Sequence, residues 1–228
     1  MILKNMSDEE IIKELKLIDD YLESRSSGYI KKYKKELKSK TYKHNAVLGA
    51  RRYEINRNKV LVCFQKLVIT DKLSDLKILY IVITEDNGAF SPDIDLYGNY
   101  AFFHITKHAV DRMWERLGLT INDFFVNEYV IKADTAYQLI KYDGYGYDDS
   151  TYITAIGKCF FIACESGNNI VFKTALDSNR IHQNQTMLYG DSKSGAEKYA
   201  DTMDKKVAEF AKRKEFNKTI DIIRAMYA

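Results

Sequence analysis

Two apolar runs, KVLVCFQKLVI at residues 59–69 and LKILYIVIT at 76–84, constrain the fold of this chain more than any other feature. They are rich in β-branched and aromatic side chains and too short and too apolar for exposed helices, and EDNG follows the second as a turn signal. Both are predicted as strands. TYITAIG, KCFFIACE and NIVFKTAL repeat the pattern later, the last two joined at SGNN, a hairpin signal. A chain with this many strands folds around a sheet.

Helices are expected around that sheet. SDEEIIKELKLIDDYL opens with Ser7 and Glu10 in capping-box spacing, and Ile11, Ile12, Leu15, Ile18 and Leu22 recur at helical intervals. YIKKYKKELKSKTY reads as a second helix, with Tyr29, Ile30, Tyr33 and Leu37 on one side and lysines around the rest. Thr106 to Leu117 is a third, stopped by Gly118. A longer helix starts at Thr120, takes Asp123 as capping partner and runs through FFVNEYVIKADTAYQLIKY. FSPDIDLYGNY, with the only proline, reads as a loop, and AFFHI as a short strand or the lead into the Thr106 helix. AEKYADTMDKKVAEFAKRKEFNKTIDIIRAMY closes the chain as one or two amphipathic helices. The expected class is α+β: a mostly antiparallel, curved sheet packed against helices, with helical additions at both ends. Residues 1–58 form a basic helical extension, 59–176 the α+β core and 177–228 a polar connection with C-terminal helices, all in one compact unit.

Composition narrows the function classes. The 228 residues can bury a sizeable core, and 46% hydrophobic with 29% charged residues is the balance of a soluble globular chain. No apolar run approaches the roughly 18 to 20 residues that span a bilayer, and MILKNMSDEE lacks the regions of a secretory signal. A cytoplasmic location and no membrane partner are expected. Cys63, Cys159 and Cys164 are odd in number and lie in strand-like runs, as small buried hydrophobes do. There is no CxxC pair and no His at ligand spacing to a Cys, so zinc is not expected. Asp93 and Asp95 could hold a divalent ion, but NYAFFHIT lacks the acid and lysine, two apart, that a restriction-nuclease-like site wants. GxxxxGK[ST], GxGxxG and GxSxG are all absent, which leaves kinase, ATPase, dehydrogenase and α/β-hydrolase readings without support. Neither metal nor cofactor is expected.

Net charge is only +3, but residues 25–59 carry twelve Lys or Arg against two acids. The remainder of the chain is therefore net negative. Such segregation suits a partner carrying phosphates, most simply RNA or another nucleic acid, steered by Lys31, Lys35, Arg51 and Arg52. A solvated lysine-rich helix would look the same. Tyr142, Tyr145 and Tyr147, in one glycine-containing loop, could stack on unpaired bases or pack at a rim.

FFHITKHAVDRMWERLGLT, residues 102–120, concentrates the chemistry. On a helical wheel Val110, Met113, Trp114 and Leu117 gather on one face, with His108, Asp111, Arg112, Glu115 and Arg116 broadly opposite. His108 falls in the first turn, where the positive dipole end favours a neutral, proton-accepting ring. Arg112, one turn on, could hold a phosphate in a bidentate grip. Such a pair suits metal-independent RNA cleavage, in which a base activates the 2′-hydroxyl and cations stabilise the phosphorane. Alternatively His108 packs locally and the arginines pair with Asp111 and Glu115. His104 is either a general acid opposite the base or a half-buried strand-end histidine. Arg180 and His182 are either closing-loop residues or ordinary surface.

ITKHAVDRMWERLGLTINDF, followed by a second helix, several strands and a closing NIVFKTAL, resembles the small domains of the RelE and barnase-like ribonuclease assemblage. The likeness is to a branch with a helix of pattern H-A-x-x-R-x-x-x-R and a final strand containing Thr. The matched positions are His108, Ala109, Arg112, Arg116 and Thr174, within residues 104–176, about one third of the chain. The resemblance implies a curved antiparallel sheet on two helices and a toxin-like, metal-independent endoribonuclease. His108 would be its base, Arg112 and Arg116 its phosphate clamps, and Thr174 would orient the substrate. Those domains are about half this size, and here strands precede the motif. Regular alternation along the last strand puts Phe172 and Thr174 on one face and Val171, Lys173 and Ala175 on the other. Thr174 and Lys173 then cannot share one cleft; the resemblance favours Thr174 and charge alone favours Lys173. The alternative expectation is a non-catalytic nucleic-acid-binding or protein-interaction module, phage or mobile-element encoded.

Overall fold

The structure is a computed structural model that describes residues 1–3, 6–42, 46–70, 73–94, 100–130, 140–141, 151–156 and 159–176. These residues belong to one compact unit. The predicted C-terminal helices, the 142–147 tyrosine loop, Arg180 and His182 lie outside the described residues.

The first helix, α1 (Asp8–Glu23), begins as expected: the Ser7 hydroxyl accepts from the Glu10 amide, and the Glu10 carboxylate accepts from the Ser7 amide at 2.8 Å. Ile11, Leu15, Ile18 and Leu22 are its buried stripe. The lysine-rich segment is two short helices, α2 (Ser26–Lys32) and α3 (Lys34–Lys38), broken at Tyr33. Tyr29 and Tyr33 pack on Phe64, with ring centroids 4.7 and 5.2 Å away. Leu37 is buried too, but Ile30, expected beside them, is 41% exposed. Two aromatic anchors and one leucine are enough to dock a helix pair whose other positions are lysine.

Among the described residues nine strands hydrogen-bond in the order β1-β2-β3-β4-β5-β9-β8-β7-β6. They are β1 (Val47–Ile55), β2 (Asn58–Val68), β3 (Ser74–Ile83), β4 (Ala89–Ile94), β5 (Tyr100–Ile105), β6 (Ile140–Lys141), β7 (Thr151–Ile156), β8 (Cys159–Ser166) and β9 (Asn169–Leu176). Two antiparallel meanders meet at one parallel pair, β5 with β9, where His104 lies opposite Val171 and Ile105 opposite Phe172. The expected α+β class, with a mostly antiparallel sheet and helices packed on it, is what the chain adopts.

Three expectations change. Residues 47–55 are a strand, so 1–58 is not a helical extension: β1 is the sheet edge, and α1 to α3 share a core with β2 to β5. Its signal was weak because Ala50, Arg51 and Arg52 are exposed on that edge, which removes the apolar alternation. Asn56 and Arg57, both at positive φ, make the two-residue turn into β2. The segment with Pro92 is a strand rather than a loop. In the β3–β4 register Tyr80 would face Pro92, which has no N–H to give. The ladder stops at Phe90, and the Ser91 hydroxyl donates to the Tyr80 carbonyl instead, at 2.8 Å. Finally, the helix begun at Thr120 does not reach Tyr142, because Ile140 and Lys141 pair with β7. That helix starts with the expected Thr120/Asp123 capping box as α5 (Ile121–Asp123) and continues as a π-helix over Phe124–Tyr129.

The sheet is covered on both faces. Under α1 to α3 lie Val60, Val62, Phe64, Tyr80, Val82, Phe90 and Phe102. On the opposite face Phe103, Phe161 and Phe172 meet Phe124, Phe125 and Tyr129, with ring centroids 4.9 Å apart for Phe103–Tyr129 and for Phe161–Phe172. At about 1.5–3 kcal/mol per fully buried large side chain, this all-aromatic cluster is a second core in its own right. All three cysteines are buried, and burial pushes the Cys63 thiol up to about 12. No helix among the described residues is long and apolar enough to cross a membrane.

Candidate functional site

Helix α4 (Lys107–Leu117) carries the residues that the ribonuclease resemblance selects. Thr106 caps it: its hydroxyl accepts from the Ala109 amide and lies 3.1 Å from the carbonyl oxygens of both Phe172 and Lys173 on β9. The Thr106 amide also donates to Phe172 O. Gly118, at φ 64°, closes the other end. The buried stripe is Ala109 and Met113, with Arg116 half-buried beside it, whereas Trp114, expected on the apolar face, is 62% exposed. The helix is thus rolled toward its arginines.

That roll decides what each arginine does. Arg116 donates through Nη1 to the Ala175 carbonyl and so pins the end of α4 to β9. Arg112 pairs with Glu115, one turn along the same helix face, on the surface. Lys107 pairs with Asp111, which raises the lysine pKa through that hydrogen bond. His108 is exposed in the first turn.

The other two proposed catalytic residues, Thr174 and His104, lie on the sheet face opposite Phe103 and Phe172. A β-bulge leaves Lys173 as the extra residue, since Ile162 pairs with Thr174 but Ala163 pairs with Phe172. Phe161 and Ala163 share a face of β8, so their partners Ala175 and Phe172 share it too, and Thr174 turns with Ile162 to the opposite side. The regular alternation expected for this strand is therefore corrected: the bulge separates Thr174 from Phe172. His104 also points away from Phe172, to the side of Phe90. Its ring stacks on Phe90 at 4.2 Å, and burial lowers its pKa against the opposing pull of Asp86 and Asp8. Among the described residues no hydrogen bond or ion pair links His108, Arg112 and Thr174 to one another. Lys173 is exposed at the bulge.

A different concavity takes the basic block. An open groove of about 1120 Å³ runs between α2–α3 and the ends of β2 and β3. Lys31, Lys34, Lys38, Lys40 and Lys66 line it, and none of its described lining residues is acidic. Its apolar parts include Ile30, Tyr42 and Leu73, which are 41%, 41% and 55% exposed. Of the cations singled out in the sequence, Lys31 is in the groove; Lys35 is exposed outside its lining, and Arg51 and Arg52 point from edge strand β1 to alternate faces.

Lys66 was missed. It is buried, and its Nζ donates to the Ser39 carbonyl at 2.7 Å. The signal was present: Val60, Val62 and Phe64 alternate on the core face of β2, and Lys66 is the next position in that series. A lysine there must carry its ammonium to a polar boundary. Lys34, Lys38 and Lys40 were counted as charge, but only folding turns them toward one concavity.

No protein-family model, curated protein or solved structure matches the chain.

Proposed function

We propose that this protein binds nucleic acid through the groove between α2–α3 and β2–β3. One observation carries the reading: among the described residues five lysines and no carboxylate line a single concavity, within a chain whose net charge is only +3. A merely solvated helix would scatter those charges over a convex surface. Groove-focused cations raise the local concentration of a polyanion and contact successive phosphates. At about 1120 Å³ the groove exceeds the roughly 300–1,000 Å³ of a typical small-molecule pocket, which favours a length of polymer.

The test is fluorescence anisotropy with labelled RNA across a salt series. Affinity falls steeply with salt, and a Lys31→Ala/Lys34→Ala/Lys38→Ala variant loses roughly 2 from the log–log slope, at about 0.7 per single-strand phosphate contact. Absence of RNA binding, or affinity indifferent to salt, overturns the reading.

Cleavage of the bound RNA is a second reading, favoured by the exposure of His108 one turn from Arg112. The Arg112–Glu115 pair lies at the surface, where such pairs are worth about 0–1 kcal/mol, so a phosphate could displace Glu115 at little cost. Labelled RNA cleaved in EDTA by the native protein but not by His108→Ala supports it. Equal cleavage by both rejects the role of His108.

A further inference from the structure

Resting on the nucleic-acid reading, we infer that the groove takes an unpaired strand rather than a duplex. Phosphates lie along the lysine wall and over Lys66, and bases lie against Ile30, Tyr42 and Leu73.

The first argument is the company the lysines keep. A surface that reads only duplex phosphates gains nothing from apolar side chains, because paired bases are stacked inside the helix and present mainly edges. Among the described residues seven large apolar side chains are exposed, and three of them, Ile30, Tyr42 and Leu73, line the same groove as the cations. Ile30 is the telling case. Its neighbours Tyr29 and Tyr33 anchor the helices on Phe64, so the core under α2 is filled without it. An unpaired strand offers both chemistries at once: a charged backbone and accessible base faces for aromatic and aliphatic contact.

The second argument is Lys66. A buried ammonium has three donors, and among the described residues its Nζ makes one hydrogen bond, to Ser39 O. Among the described residues that line the groove there is no carboxylate beside it. A non-bridging phosphate oxygen matches that requirement, supplying a charge-assisted acceptor where the backbone carbonyl supplies only a neutral one. Lys66 sits on the rigid β2 strand and fixes the position of one phosphate, while the helix lysines on flexible stems follow the backbone on either side. A single-stranded backbone can bend to bring a phosphate onto this fixed point, which a stiff duplex does far less readily.

The experiment compares short fluorescein-labelled oligo(U) with a labelled duplex of the same length, and uses heparin as a polyanion without bases. The full-length protein is tested beside Tyr42→Ala, Tyr42→Phe and Lys66→Met, each checked for an unchanged thermal melt. Oligo(U) should bind at least tenfold more tightly than duplex. Tyr42→Ala should weaken oligo(U) roughly ten- to a hundredfold while leaving heparin unchanged, and Tyr42→Phe should restore most of the loss. Should Lys66→Met fail to fold, the Tyr42 pair decides alone. Equal affinity for duplex and single strand, or no effect of Tyr42→Ala, overturns the unpaired-strand inference and leaves the nucleic-acid reading intact. Binding to neither nucleic acid, with capture by phosphatidylserine vesicles or polyglutamate instead, overturns both.

Discussion

The imidazole of His104 lies on the ring of Phe90, with centroids 4.2 Å apart and planes within 7° of parallel. Burial depresses its pKa below the ordinary 6.5, and Asp86 and Asp8 only partly oppose this. A histidine stabilised as the neutral ring binds fewer protons folded than unfolded, so stability rises with pH across the interval between the two pKa values. It is fully present above about pH 6.5 and is lost as pH falls from there toward the folded-state pKa. Urea unfolding between pH 7.5 and 5 should show this acid limb, and His104→Phe, which keeps the stack without the proton, should flatten it. An unchanged limb in His104→Phe would assign the acid sensitivity elsewhere.

Thr106 joins α4 to β9 through one side chain. Its hydroxyl accepts from Ala109 N and contacts the carbonyls at the β9 bulge. Thr106→Ala removes an N-cap, typically worth about 1 kcal/mol, and a bond to the strand worth about 1 kcal/mol more. We expect a loss of roughly 2 kcal/mol in chemical denaturation, with Thr106→Ser recovering most of it. A Thr106→Ala protein as stable as the native one would show that the cap carries no weight.

Gly49 and Tyr33 form a steric pair. A Cβ at Gly49 would stand 2.5 Å from the Tyr33 hydroxyl oxygen but 3.4 Å from the ring carbon that carries it. Gly49→Ala should therefore cost about 1–3 kcal/mol in the native background, the usual range for forcing atoms into packed structure. In a Tyr33→Phe background most of that cost should vanish, because the clashing oxygen is gone. A double-mutant cycle measures the difference, and additivity of the two changes would place the strain elsewhere.

Local rules made much of this fold legible. The Ser7, Thr106 and Thr120 caps, the Gly118 stop, strands β2, β3, β8 and β9 and the turn at Gly167 and Asn168 all follow from spacings of a few residues. β1 escaped because an exposed edge strand needs no apolar alternation, and β4 because proline argues against a strand unless a neighbouring hydroxyl completes the ladder, as Ser91 does.

The sequence by itself determined the α+β class, the starts of α1, α4 and α5 and the surplus of positive charge over residues 25–59, since each depends on propensity, periodicity or composition along the chain. Only the tertiary structure decided where that charge is presented and which histidine faces which side. A single extra residue at Lys173 turns Thr174 to the face opposite Phe172, and one strand register points His104 toward Phe90. Docking of Tyr29 and Tyr33 on Phe64 brings Lys31, Lys34 and Lys38 beside Lys66. Side-chain direction alternates with every strand residue, so a shift of one position in pairing moves a group to the other face, and no spacing read along the chain contains that shift.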